Sequence, residues 1–246
     1  MNEAPPIQRG NDYFVGDVIP DVTEGLPRVT TILNEVAKQQ FLSPWMAKLA
    51  AEYAFANPSS SLDEAKGAAT RYTDKAAAKG STVHSWCEAY ANGASINIES
   101  MPKELKGYAI SFINWVDEVK PEFLHTERII ANLTYGYAGT ADIIAKVGGR
   151  TLIIDIKTGK NVYDWDYSLQ CSAYLHGEVI IDPATREQFE LPVIEDSAVL
   201  HLRPRGFAWH ELPDTFESFV AYLHIFRARQ GKPCPPVCCL CAGVAP

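Results

Sequence analysis

The chain has 246 residues, 47% of them hydrophobic and 21% charged, and a formal net charge of −8 at neutral pH. At roughly 150 residues per domain this length fits one large domain, or one domain with an elaboration, and the composition supplies a packed core rather than wholesale disorder. The acidic balance excludes a protein that coats duplex nucleic acid by net charge alone, while leaving room for a local phosphate site. No apolar run approaches the roughly 18 residues of a membrane span. The first residues carry neither a basic nor an apolar leader segment, so a reducing, cytoplasmic compartment with no membrane association is expected.

Residues 1–28, rich in Pro, Gly and Asp, read as an irregular arm. A helix is expected from 29 to about 40. Ser43 followed by Pro44 reads as an N-cap and first helical position, starting a helix that stops at Asn57 and Pro58. Ser61 and Glu64 have the spacing of a capping box. They open a long helical stretch, broken or kinked near Gly80 and ending at Asn92 and Gly93. Leu105, Tyr108, Phe112, Val116 and Val119 recur at helical spacing, and Pro121 stops that helix. The pattern then turns strand-like at 123–133 and 139–157, which are rich in Ile, Val and Thr. A helix from about 166 to 177 follows, then strands at 198–203 and 207–212, and a last helix capped at Asp214 to Glu217 and ending near Gly231. This succession predicts one α+β domain over 29–231, a small mixed sheet flanked by helices, with a helical part at 29–120 and the sheet and its helices at 121–231. A tail rich in Cys and Pro occupies 232–246.

The most informative stretch runs from Gly139 to Lys160. Gly148-Gly149 signals a two-residue hairpin turn. With that turn, Val147 faces Arg150, Asp142 faces Asp155 and Thr140 faces Lys157. Asp155 and Lys157 share a face by alternation, so two carboxylates and one amine converge. Directly opposed like charges destabilise a sheet, and a divalent cation reverses that sign. The neighbours Leu152, Ile153, Ile154 and Ile156 are apolar on both faces, as in a central strand, where a lone charge is costly unless paired or coordinated. The alternative is a structural Asp155–Lys157 pair on a solvated edge.

Gly139-x-x-Asp142 followed by Asp155-x-Lys157-Thr-Gly-Lys160 resembles the core of the PD-(D/E)XK nucleases, and more narrowly the RecB-like exonucleases, including phage-encoded and CRISPR-associated members. Lys79-Gly80-Ser-Thr-Val-His84 looks like the histidine motif ahead of that core. Glu127 looks like its upstream glutamate, and Gln170-Cys-Ser-Ala-Tyr174 like the Q-x-x-x-Y motif of the RecB-like branch. Arg28 to Leu33 with Trp45 resembles the N-terminal segment of phage members, so the resemblance spans roughly 28–212. It implies a restriction-endonuclease-like core and a metal-dependent deoxyribonuclease. Such an enzyme is most simply an exonuclease in recombination, repair or phage DNA processing, in a bacterial or phage-infected cell. A structure-specific endonuclease and a non-catalytic subunit that binds DNA ends are the alternatives.

The same resemblance assigns roles. His84, Asp142, Asp155 and the Ile156 carbonyl would hold Mg²⁺ or Mn²⁺, the imidazole favouring Mn²⁺. Lys157 would orient or deprotonate the attacking water and stabilise charge on the phosphate. Gln170 and Tyr174 would hold the nucleic acid or the site geometry, with a core Tyr as the alternative for Tyr174. Glu127 is either a catalytic carboxylate or a surface strand residue. Glu88, one turn from His84, is a candidate neighbour. The implied partners are DNA, single-stranded or at its ends, and recombination or replication proteins.

Arg71, Lys75 and Lys79 recur every fourth residue and form a basic stripe running towards His84, which could track a phosphate backbone or be a solvated helix face. Lys160 is a further phosphate candidate. Trp45, Trp86, Tyr163 and Trp165 could stack on bases, the last two being favoured by their place beside the active strand. Cys234, Cys238, Cys239 and Cys241 crowd the tail. Some RecB-like relatives hold an iron–sulfur cluster with one upstream and three C-terminal cysteines, but here no cysteine precedes Cys87. The tail cysteines are expected to form a small zinc site or to stay free, in preference to a cluster, and to be dispensable for catalysis.

Overall fold

The hairpin glycines set the centre of the sheet. Gly148 and Gly149 both take positive φ, +58° and +85°, which suits a two-residue turn. The strands they join, β5 (Tyr137–Val147) and β6 (Arg150–Lys157), pair in the predicted register from Val147 opposite Arg150 to Ile143 opposite Ile154. The protein is described here by a computed structural model that covers residues 7–19, 22, 24–37 and 39–233.

In chain order the elements are β1 (Gln8–Arg9), β2 (Asp12–Tyr13), β3 (Leu26–Pro27), α1 (Val29–Val36), α2 (Gln39–Ala56), α3 (Leu62–Ala91) and α4 (Lys103–Val119). Then come β4 (Glu122–Asn132), β5, β6, α5 (Asp164–Leu175), β7 (Val179–Ile181), β8 (Gln188–Glu190), β9 (Asp196–Arg203), β10 (Gly206–Leu212) and α6 (Phe216–Arg229). Seven strands form one mixed sheet in the order β10-β9-β6-β5-β4-β7-β8. Only β6 and β9 run parallel, and the chain between them includes α5, as a parallel crossover requires. The architecture is α+β.

Alternating side chains divide the core. Ile130, Tyr137 and Ile153 pack beneath α1, α5 and α6 with Leu169, Phe219 and Leu223. Ile143, Leu152, Ile154 and Ile156 pack beneath α3 and α4 with Val83, Cys87, Phe112 and Trp115. Ile129 and Ala131 flank Ile130 and therefore face the second side, where Ile7, Tyr13, Val15 and Leu26 cover them.

Several expectations change. Strands β1, β2 and β3 form a small three-stranded sheet where an irregular arm was expected, because apolar side chains of this segment have a sheet face to cover. Helix α2 begins at Gln39, so Ser43 is not its N-cap and Pro44 lies inside it. Pro44 is the sixth helical residue, past the four N–H groups that lack intrahelical partners, so it forgoes one intrahelical bond and its ring crowds the preceding turn. Helix α3 opens on the expected Ser61–Glu64 capping box but continues through Gly80 to Ala91. The run Ala76-Ala77-Ala78 before Gly80 is strongly helix-forming and offsets the glycine's cost of about 1 kcal/mol. Strands β7 and β8, three residues each, are too short to leave a periodic signal.

Gly139 marks a close approach: a Cβ there would lie 2.4 Å from Tyr174 Cε1 and 3.0 Å from its hydroxyl. Gly139→Ala should therefore destabilise the protein by about 1–3 kcal/mol through overpacking. The expected readout is a lower urea midpoint with an unchanged m value.

Candidate functional site

The β5–β6 ladder stops at Ile143 and Ile154, and the site occupies the gap beyond. The expected pairs Asp142–Asp155 and Thr140–Lys157 do not form. Asp155, Ile156 and Lys157 keep only their pairing on the other edge, with Val199, Leu200 and His201 of β9, and the Thr140 hydroxyl meets that of Tyr13 at 2.8 Å. The cause lies in β4 and β5. Their register passes from Thr126–Ile143 to Arg128–Ala141, leaving Glu127 and Asp142 out of the ladder, and Glu127 takes φ +47°. Alternation also breaks here. Ala141 belongs to the core beneath α5 and α6 and Ile143 to the core beneath α3 and α4, although residues two apart in a regular strand share a face.

This irregularity turns Asp142 towards α3 and leaves Asp155 facing α5. Asp142 Oδ2 accepts the N–H of Ile156 at 2.7 Å, and its Oδ1 lies 3.4 Å from His84 Nδ1 on α3. Glu127 joins them: one ligand atom from each of His84, Glu127 and Asp142 lies within 4.8 Å of the others. Asp155 Oδ1 accepts from Gln170 Nε2 at 2.9 Å, and that amide also donates to the Tyr174 hydroxyl at 3.3 Å. Asp155 Oδ2 lies 2.5 Å from Lys157 Nζ, yet this buried oxygen makes no well-directed hydrogen bond. Lys157 lies over the Tyr167 ring, 4.8 Å from its centroid. The two carboxylates thus enter the gap from opposite sides of the sheet instead of facing each other on one patch.

The charges are strongly interdependent. Burial opposes the charge on His84, but the Asp142 carboxylate outweighs it and pushes the imidazole pKa up to about 9. Burial and the adjacent Asp142 raise Glu127 to about 7. Asp142 is also penalised by burial, but His84, Lys157 and the Ile156 N–H hold it below the usual range. Burial raises Asp155 in spite of Lys157. Lys157 loses solvation too, but Asp155 and Asp142 prevail and raise its pKa. Lys157 is therefore held as an ammonium, suited to orienting an anion or a water rather than to accepting a proton.

A divalent cation fits these donors. Three ligand groups already converge, and Glu127 and Asp142 repel each other without a cation between them. An ion entering here displaces the His84 proton, since a ligating imidazole must be neutral.

The basic stripe is largely occupied by the protein. Arg71 donates to the Glu64 carbonyl at 2.8 Å and lies 5.2 Å from the Tyr53 ring centroid. Lys79 donates to the Thr158 carbonyl at 3.0 Å and to the Tyr108 hydroxyl at 3.1 Å. The three residues lie along α3, and Tyr53 of α2 and the end of β6 are within reach of that face. Lys75 and Lys160 are exposed, as are Tyr163 and Trp165, 59% and 53% accessible. Trp45 meets Tyr72 edge to face, and Trp86 packs against the core beneath α3 and α4. Cys87 and Cys171 are buried thiols whose pKa values are raised, chiefly by burial. Cys234, Cys238, Cys239 and Cys241 lie outside the described residues. Among the described residues, no helix is long and apolar enough to cross a membrane.

Two residues at the site escaped the sequence reading. Tyr167 shares a helix face with Gln170 and Tyr174 at i, i+3 and i+7, a spacing that could have revealed it. Tyr13 lies 127 residues from its partner Thr140, and no local pattern points to it.

No known family profile matches the chain, and no curated protein sequence does. Among the solved structures that match is one described as "Crystal structure of SSO0001", 15% identical over 94% of this chain and 91% of that one, with a TM-score of 0.39. That likeness is too loose to carry an argument about fold or function.

Because Lys79 bridges α3 to the end of β6 whereas Lys75 makes no ion pair among the described residues, the two should behave differently on mutation. Lys79→Met should cost about 1–2 kcal/mol in chemical denaturation, and Lys75→Met should stay within about 0.5 kcal/mol of the parent.

Proposed function

We propose that the chain is a divalent-metal-dependent deoxyribonuclease of the RecB-like branch of the PD-(D/E)XK nucleases, acting at DNA ends, and that its sheet carries a restriction-endonuclease-like core. The observation that carries this reading is the convergence of His84, Glu127 and Asp142 beside the end of the β5–β6 ladder, with the Asp155–Lys157 pair on the adjoining residues of β6. A purely structural role would leave buried charges paired. Here Glu127 is held beside Asp142 with no ion-pair partner of its own among the described residues, and its pKa is raised.

In this reading His84, Glu127 and Asp142 would hold Mn²⁺ or Mg²⁺, with Asp155 and the Ile156 carbonyl as the further candidate ligands. The bound ion supplies Lewis acidity and lowers the pKa of a water. Lys157, as an ammonium, orients that water against the scissile phosphate and offsets the charge that develops on the phosphoryl oxygens. Gln170 fixes the Asp155 carboxylate by hydrogen bonding, and Tyr174 fixes Gln170, so the pair positions rather than reacts. Lys75 and Lys160 contact the strand's phosphates, and Tyr163 and Trp165 offer exposed rings to its bases.

The test is digestion of end-labelled linear and circular DNA with Mn²⁺, Mg²⁺ or EDTA. Metal-dependent loss of linear strands is expected, with circles spared. Lys157→Ala should slow cleavage by about 10²-fold or more while circular dichroism is unchanged. Equal digestion of circles would point to an endonuclease. Metal-dependent binding of DNA ends without any cleavage would mark a non-catalytic subunit.

A further inference from the structure

A cavity of about 660 Å³ opens beside the candidate metal centre and shares Glu127 with it. Four separate parts of the chain form its wall: the N-terminal segment through Gln8 and Tyr13, α3 through Glu88, the β4–β5 pair through Ile129 and Thr140, and the turn after β7 through Pro183 and Ala184. We propose that this cavity takes the base and sugar of the terminal nucleotide, next to the scissile phosphate. The proposal rests on the nuclease reading and deepens it.

Three properties carry it. The volume suits a single nucleotide, since small-molecule pockets span roughly 300–1,000 Å³. Ile129, Pro183 and Ala184 give apolar walls for the flat faces of a base, while Gln8 and Thr140 give hydrogen-bonding groups for its edges. Glu88 and Glu127 disfavour a free phosphate, and Arg186, the cation in the wall, is ion-paired to Asp17, so the neutral parts of the nucleotide enter the cavity and the phosphate stays outside it.

The walls are preformed. Tyr13 is tied to Thr140 through their hydroxyls. Asp182 Oδ1 accepts the N–H groups of Ala184 and Thr185 at 2.8 and 3.1 Å, and its Oδ2 lies 2.8 Å from Arg128. Arg186 is ion-paired to Asp17 of the N-terminal segment.

The experiment is calorimetric titration of the full chain with thymidine 5′-monophosphate in Mn²⁺, with inorganic phosphate as a second probe. Ala184→Trp fills the cavity from an exposed turn position, and Gln8→Ala removes one polar group without adding bulk. Ala184→Trp should weaken nucleotide binding by about tenfold or more and Gln8→Ala by less, both with unchanged Mn²⁺ affinity. Ala184→Trp should also slow release of terminal nucleotides from linear strands. The proposal is overturned if the parent binds phosphate as tightly as the nucleotide, if it binds no nucleotide, or if Ala184→Trp binds the nucleotide unchanged, whether or not DNA is cut. Nucleotide binding that Ala184→Trp abolishes, in a protein that cuts no DNA, would keep the cavity assignment and reject the nuclease reading instead.

Discussion

The site depends on an interruption in hydrogen bonding between adjacent strands. A continuous β4–β5–β6 ladder would bury its backbone groups in pairs and leave no space between strands for chemistry. At Glu127 and Asp142 the ladder fails, and the freed Ile156 N–H is satisfied by a carboxylate, Asp142 Oδ2, in place of a carbonyl. Buried backbone donors need partners, so one contact solves two problems. It pairs the orphan N–H, and it fixes the carboxylate at the mouth of the gap. Left-handed φ at a residue other than glycine, as at Glu127, costs of order 1–3 kcal/mol and persists where the surroundings over-determine it.

From that interruption the electrostatics follow. Four ionisable groups, His84, Asp142, Asp155 and Lys157, form two ion pairs, one between α3 and β5 and the other within β6. Glu127 is the fifth, an acid without a cation of its own among the described residues, and its raised pKa reflects burial first and Asp142 next. A protonated His84 partly neutralises the cluster. A divalent ion would do so more completely, since it balances two carboxylates directly and releases the imidazole as a neutral ligand.

Much of this was legible in the sequence, and the exceptions have physical causes. The turn at Gly148 and Gly149 fixed the β5–β6 register because two adjacent glycines admit φ > 0 at both central positions. Gln170 and Tyr174 were recognisable at one-turn spacing and do hydrogen-bond. The opposition of Asp142 and Asp155 failed because counting by twos assumes an unbroken strand, and no residue type at 141–143 announces the irregularity. Glu127 could be singled out but not oriented, because its placement depends on that irregularity in the neighbouring strand. For the basic stripe, helical spacing identifies a face but does not say what packs on it, and Tyr53 and Thr158 come from other parts of the chain.

The last consequence concerns the turn that follows Lys157. Thr158 and Gly159 are held from two sides, by Lys79 of α3 on the Thr158 carbonyl and by His201 of β9 on the Gly159 carbonyl at 2.8 Å. His84 projects from the same helix as Lys79, one to two turns further on, and His201 pairs with Lys157 itself. The distance between the His84 imidazole and the Lys157 ammonium is therefore set by a closed circuit of α3, the Thr158–Gly159 turn, β9 and β6, rather than by either side chain's own rotamer. Asp155 is fixed independently from the opposite side of the sheet, through Gln170 on α5. A centre assembled in this way draws its precision from the packing of helices on both sheet faces, which is why residues so far apart in sequence can meet within hydrogen-bonding distance.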